Sequence, residues 1–299
     1  MFSRSRGADF GKASALPFLL PELTNTHAPY PSPPFFDMTP LRHPSRHGAI
    51  PISTLGPVLI TSPHPDDETL GCGGLIARCA EIACPVSVLS MTNGEGSHPG
   101  DTSWQEKLGD IRKREQHLAL EALGLKKPDI ISLALSDGGM EQLTGTMYAR
   151  VVAVIQDVIQ SRRISTVFVP AIDDRHADHQ QTARLLAEAV STLSVAHFFS
   201  YQIWPPEERP AQVTANEVGY RLNISDIVGV KRRAISMHRS QLAPIDSAHP
   251  EGFRMPQELL KEKLKAHESY ALVGDVPAWC GRLNEEAILP QYHLTESPG

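Results

Sequence analysis

Residues 61–74 read TSPHPDDETLGCGG and follow directly on the apolar run Val58-Leu59-Ile60. His64, Pro65, Asp66, Asp67 and Glu68 stand in consecutive positions, and Gly71, Gly73 and Gly74 follow within an apolar segment. This is the layout of a buried strand, a polar turn and a helix start. Polar turns held on a rigid scaffold often carry chemistry. The glycines have a plain reading as close helix–strand packing. They match neither GxGxxG nor the Walker pattern, which argues against a nucleotide-binding oxidoreductase.

Outward from this stretch, short apolar runs alternate with helical periodicity. Strands are predicted at 58–61, 86–92, 130–135, 166–170 and 196–201, and helices at 70–81, 104–123, 145–162 and 182–193. Runs such as TVFVP, Thr166 to Pro170, suit strands buried on both faces. Alternation of this kind implies right-handed crossovers. The expected fold is therefore α/β, a Rossmann-like single domain with a mainly parallel sheet and helices on both faces. Residues 1–50 differ: Pro29, Pro31, Pro33, Pro34, Pro40 and Pro44 interrupt any period, which predicts an extended or disordered N-terminal arm. Phe18, Leu19, Leu20, Phe35 and Phe36 could dock the arm on the domain or on a second subunit, so a homo-oligomer is open. The domain proper is expected over 51–299, with 202–299 shaping the substrate pocket.

Composition narrows the function. The net charge of −6 gives no basic surface for nucleic acid. No apolar run approaches the roughly 18 residues of a membrane span, and Pro17 breaks the short apolar piece at 15–20, so a cytoplasmic location is expected. Cys72, Cys79, Cys84 and Cys280 form no CxxC pair and read as small buried residues. Composition thus points to neither a nucleic-acid nor a membrane partner.

In a parallel sheet, ligands bind beyond the carboxyl ends of the strands. HPDDE follows the strand at 58–61, NGEGSHPG the one at 86–92, SDGG the one at 130–135, and AIDDRHADH the one at 166–170. The first and last converge. His64, His179 and one aspartate of the Asp66–Asp67 pair could hold one divalent cation, with a coordination position left open as a catalytic site requires. Asp67, three residues after His64, can point to its side, but spacing alone does not choose between the two aspartates. The other carboxylate could take a proton from water. His176 could face the same point, and Asp178 could orient it or tune its pKa. A lone His-Pro-Asp would serve as a helix cap; two such clusters, each directly after a buried strand, point to a metal centre.

At these clusters the chain resembles the PIG-L, or LmbE-like, N-acetylglucosaminyl deacetylases. PHPDDETLGCGG looks like the AHPDDE signature of that family, and RHADH, 175–179, like its HxDH motif. Arg112 and Glu115, followed by Ala119, Ala122, Leu123 and Gly124, are similar to its R-x-x-E…A…LG helix. TNGEGSHP, 92–99, resembles a T-D-G-E-A-S-H-P loop with Asn93 in place of Asp; Lys231 with His238 to Gln241 resembles a K…HxSQ segment; Glu268 and Tyr270 resemble an E-x-F/Y pair. Pro63 replaces the usual Ala. The likeness spans about 57–275.

The resemblance implies metal-dependent removal of an N-acyl group from an amino-sugar conjugate. It implies His64, Asp67 and His179 as metal ligands, Asp66 as general base, His176 as oxyanion or leaving-amine partner, Asp178 behind the site, and Arg112 at the substrate. It implies Zn2+, although an aspartate ligand also admits Fe2+ or manganese. The alternative is a catalytically silent, metal-containing sugar-binding protein on the same fold. Trp204 and Trp279 could stack on a sugar face, with core packing as the plainer reading.

Overall fold

Val58–Ser62 is buried at every position, so the strand must be covered on both faces, and the rest of the molecule supplies that cover. The structure, a computed structural model, describes residues 47–206, 219–245 and 251–273. The expected arm up to residue 46, Trp279, Cys280, His249 and His293 lie outside the described residues.

The described strands are β1 (His47–Ala49), β2 (Val58–Ser62), β3 (Val86–Thr92), β4 (Asp129–Leu135), β5 (Thr166–Pro170), β6 (His197–Tyr201), β7 (Gly219–Asn223) and β8 (His267–Leu272). The helices are α1 (Asp67–Glu81), α2 (Thr102–Ala122), α3 (Gly145–Ser161), α4 (Ala177–Val190), α5 (Val228–Ile235) and α6 (Gln257–Lys263). All eight strands join one sheet in the order β1-β7-β8-β6-β5-β2-β3-β4. Pairings are parallel except where β8 lies antiparallel between β6 and β7. The expected α/β class with a mainly parallel sheet is what the chain forms.

Alternate residues of each central strand feed separate cores. Val58, Ile60, Val88 and Phe168 face α1, α2 and α5, meeting Leu75, Ile76, Leu120 and Ile235. Leu59, Leu89, Met91, Val167 and Val169 face α3 and α4, meeting Val151, Ile155, Leu185 and Leu186. Two features differ from the sequence reading. His47–Ala49, inside the span assigned to the arm, is a strand paired with β7. β7 and β8, inside the span assigned to the pocket, extend the sheet.

α1 carries the first motif at its amino end, and it is locked by an unusual arrangement. Lys231 Nζ on α5 donates to the Leu70 carbonyl at 2.8 Å and to Glu268 Oε1 at 2.6 Å. The Glu268 carboxylate, on β8, accepts from the backbone N–H of Gly74 at 2.6 Å and of Leu75 at 2.8 Å. In a regular helix Gly74 N–H would bond to the Leu70 carbonyl and Leu75 N–H to that of Gly71. The ion pair thus meets both ends of the first link, while Tyr270 Oη, which donates to Glu268 Oε2 at 2.6 Å, stands 3.4 Å from the Gly71 carbonyl. Only residues without a Cβ fit there. A Cβ at Gly71 would lie 2.3 Å from the Tyr201 ring, and one at Gly74 2.4 Å from Ile224 and 3.0 Å from the Glu268 carboxylate. The glycines of GCGG therefore serve close packing. Cys72, Cys79 and Cys84 are buried free thiols in the same region.

Candidate active site

From β2 the chain proceeds outward through β3 and β4; from β5 it proceeds the other way through β6. The strand order reverses between β2 and β5, and the two motifs leave the carboxyl ends of these neighbours, the place where a doubly wound sheet opens a crevice. Both motifs enter helices earlier than periodicity predicts. α1 starts at Asp67 and α4 at Ala177, so Asp178 and His179 sit in the first turn of α4, with His176 as its N-cap. The apolar period that signals a helix begins only beyond these polar residues.

The geometry centres on Asp67, which is 3% exposed. Its Oδ2 accepts from the His64 backbone N–H at 2.9 Å and stands 3.2 Å from His64 Nδ1 and 3.2 Å from His179 Nε2. The far nitrogen of each imidazole also meets carboxylate. His64 Nε2 lies 3.1 Å from Asp137 Oδ1 and 3.2 Å from Asp178 Oδ2, and His179 Nδ1 lies 3.3 Å from Asp174 Oδ2. Both ring nitrogens of His179 are fully buried, yet neither completes a hydrogen bond of acceptable angle. Among the described residues, the sets whose ligating atoms all lie within 4.8 Å of one another are His64, His176, His179 and His64, Asp137, Asp178; Asp67 is in neither.

Electrostatics follow from this crowding. Burial opposes protonation of His64, but Asp137, Asp178 and Asp67 outweigh it and hold its pKa well above the ordinary value. Burial likewise opposes protonation of His179, and Asp67 and Asp174 overcome it, raising its pKa to about 9. Burial would raise the Asp67 carboxyl, but His179 and His64 bring it well below its usual range. Asp66 goes the other way: burial, assisted by neighbouring Asp67 and opposed by Arg112, pushes its pKa well up. Burial and then the neighbouring imidazoles lower His176.

Asp66 has φ 151°, a backbone conformation foreign to L residues. Its surroundings hold it there. Its N–H points to Glu68 Oε2 at 3.3 Å, and that carboxylate also accepts from Ser62 Oγ at 2.6 Å and Gln116 Nε2 at 3.1 Å. Arg112 donates to Asp66 Oδ2 at 3.1 Å, to the Pro65 carbonyl at 3.1 Å and to the Gly94 carbonyl at 2.8 Å. Behind Glu68, Thr69 Oγ1 donates to its Oε1, and buried His238 stands 3.2 Å from the same hydroxyl.

The expected residues His64, Asp66, Asp67, His176, Asp178 and His179 are thus brought together, with Arg112 beside them. The Asp178 carboxylate meets His64 and accepts from Gly138 N–H at 2.8 Å, while only its backbone N–H reaches His176, donating to Nδ1 at 3.2 Å. Asp137 and Asp174 were not singled out by sequence. Each follows a strand end, in SDGG and AIDD, but nothing local distinguishes them from neighbouring acids. Asp174 also accepts from the backbone N–H of His176, Ile203 and Trp204.

The centre opens into a cavity of about 630 Å³. Gly96, Ser97, Asp137 and Gly138 line it from the loops after β3 and β4, and Trp204, Gln241, Phe253 and Met255 line it from the later chain. No described helix is long and apolar enough to cross a membrane.

Comparisons with known proteins agree with the geometry. Residues 59–190 match the PIG-L family model, described as GlcNAc-PI de-N-acetylase. The chain is 32% identical over 207 residues to a probable N-acetyl-alpha-D-glucosaminyl L-malate deacetylase 2 of Bacillus cereus, covering 64% of this chain and 87% of that protein. It is 30% identical over 201 residues to the diacetylchitobiose deacetylase of Thermococcus kodakarensis, covering 64% and 72% respectively. In fold it is similar to the N,N'-diacetylchitobiose deacetylase of Pyrococcus horikoshii, with a TM-score of 0.57 at 20% identity, over 82% of this chain and 89% of that one. With paired motifs at the sheet's reversal point and this identity across most of a relative's length, the chain belongs to the PIG-L family of de-N-acetylases.

Proposed function

We propose that this protein is a metal-dependent amide hydrolase that removes the N-acetyl group from an N-acetylglucosamine conjugate, with Zn2+ held by His64, Asp67 and His179. One observation carries the ligand set. Asp67 Oδ2 stands 3.2 Å from a nitrogen of each imidazole, while the opposite nitrogens face Asp137, Asp178 and Asp174. An ion bound there would leave every ring N–H a carboxylate to donate to, the usual support of a metal-bound histidine. The sets His64, His176, His179 and His64, Asp137, Asp178 would each leave Asp67 outside the coordination shell, although its Oδ2 stands between the two imidazoles.

A bound divalent cation supplies Lewis acidity, lowering the pKa of water to about 7 and polarising a carbonyl. The residues divide the remaining work. Asp66, whose raised pKa lets it hold a proton, takes one from the attacking water and passes it to the departing amine. Arg112 fixes the orientation of Asp66 and faces the substrate from the cavity wall. His176 accepts the Asp178 backbone N–H at Nδ1, which places its own proton on Nε2. With its pKa lowered it stays neutral and donates from Nε2 to the oxyanion of the tetrahedral intermediate. The C–N bond then breaks, giving acetate and the free amino sugar. Asp178 positions His64.

The test is acetate release from N-acetylglucosamine glycosides by zinc-loaded wild type and Asp66→Ala. The variant should lose at least a hundredfold in kcat, the scale of general base catalysis. Equal rates would overturn the mechanism, and bound metal without hydrolysis of any acylated amino sugar would indicate the silent sugar-binding alternative.

A further inference from the structure

The cavity has two chemistries. Around the proposed metal centre its wall is ionic. The same lining also holds the apolar side chains Leu70, Trp204, Phe253 and Met255. Trp204 and Phe253 meet edge to face, with centroids 6.1 Å apart and planes at 87°.

This wall is tied to the centre through backbone bonds. Trp204 N–H donates to Asp174 Oδ2 at 2.8 Å, the same oxygen that faces His179. Arg175 N–H donates to the Trp204 carbonyl at 3.0 Å. Phe253 N–H donates to the Ser97 carbonyl and Met255 N–H to the Gln241 carbonyl, each at 2.8 Å. Gln241 itself is 1% exposed and lines the cavity; its Nε2 donates to Ser97 and Ser240 hydroxyls, but its Oε1 is buried without a donor.

We propose that Trp204, Phe253 and Met255 form an aglycone subsite for an uncharged group that presents a flat apolar face. This rests on the deacetylase reading and names the substrate side that reading leaves open. The subsite takes either an aromatic ring or the C–H face of a second pyranose. Charge argues against an anionic aglycone. Arg112 already pairs with Asp66. Arg175 lines the cavity but is exposed, and a cation in water holds an anion weakly. Asp137, which lines the same cavity, would repel one. Apolar ring faces, in contrast, pack well on Trp and Phe.

The test uses the full zinc-loaded chain and four N-acetylglucosaminides, whose aglycones are methyl, phenyl, a second N-acetylglucosamine, and a short carboxylate. The phenyl compound, the disaccharide or both should exceed the methyl compound about tenfold in kcat/KM, and the carboxylate should not; which ring succeeds identifies the source. Trp204→Ala should reduce the advantage roughly tenfold through KM, the scale of one lost aromatic contact. Trp204→Leu, which keeps apolar volume without the flat face, should do the same if Trp204→Ala folds poorly. A preference for the carboxylate, no ring preference, or a ring advantage that survives both variants would overturn the subsite. Calorimetric binding of phenyl glucosaminide, which has no acetyl group, separates the two readings. If no glycoside releases acetate, the deacetylase reading fails. Binding to wild type but not to Trp204→Leu still supports the ring subsite, and equal or absent binding in both refutes it.

Discussion

Replacing Glu268 by Gln should unfold this protein at a much lower temperature, although residue 268 touches no group proposed to bind the ion. The Glu268 side chain is 3% exposed and its partner Lys231 is 1% exposed. The carboxylate accepts from Gly74 N, Leu75 N, Lys231 Nζ and Tyr270 Oη, so all its capacity faces donors. The amide of Gln retains one oxygen and turns its NH2 against a backbone N–H or the Lys231 ammonium, with Tyr270 Oη the only partner able to accept. Breaking a buried pair on one side costs about 3–5 kcal/mol. For a domain of this size each kcal/mol lowers the melting temperature by about 2–4 °C, so Glu268→Gln should lose roughly 6–20 °C in a thermal unfolding scan. Many buried pairs can be exchanged for apolar residues at little cost. This one should resist, because Gly74 N–H, Leu75 N–H and the Leu70 carbonyl all bond to it. Lys231→Met combined with Glu268→Leu would strand them, at about 1–3 kcal/mol per group. A single variant that loses less than about 3 °C, or a double variant as stable as wild type, would refute the idea that the pair completes the α1 ladder.

Gly71→Ala should destabilise by about 1–3 kcal/mol, since its Cβ would lie 2.3 Å from the Tyr201 ring; urea unfolding reads it, and no change would mean that Tyr201 moves freely. Asp174→Asn should weaken metal affinity about 10- to 100-fold by loosening His179, measured by competition with a chromophoric chelator. Removing the ion with a chelator should lower stability by about 2.7 kcal/mol relative to protein held at 100-fold excess of metal over Kd; an unchanged melting temperature would argue against a bound ion.

Much of this arrangement is legible before any coordinates. β3 and β5 match the predicted limits at 86–92 and 166–170, because each is a continuous buried run bounded by Pro, Gly or polar turns. The clustering of HPDDE and HADH points to one centre because both follow strands that prove to be neighbours. β8 is invisible to pattern. His267–Leu272 reads HESYAL, and its acid and its tyrosine turn inward to mend a helix, whereas a strand is recognised by apolar residues turning inward. Asp137 and Asp174 are hidden for a related reason. Their importance lies in which imidazole they face, and that is settled by packing between strands far apart in sequence. The early start of α4 is missed because its first turn holds polar residues that serve the site.

The Glu268 bond to Gly74 joins residues 194 positions apart. Every group proposed around the ion has been synthesised by residue 179, and the family model is complete by 190, yet the helix that presents Asp67 gains its Glu268 contacts only when β8 slots between β6 and β7. The chemistry is written early in the chain and closed late. Such long-range closure is slow to reach, so a nascent chain carries all its metal-seeking side chains through translation before it owns the scaffold that disciplines them. A segment cut at the family-model boundary would inherit the motifs without the clasp.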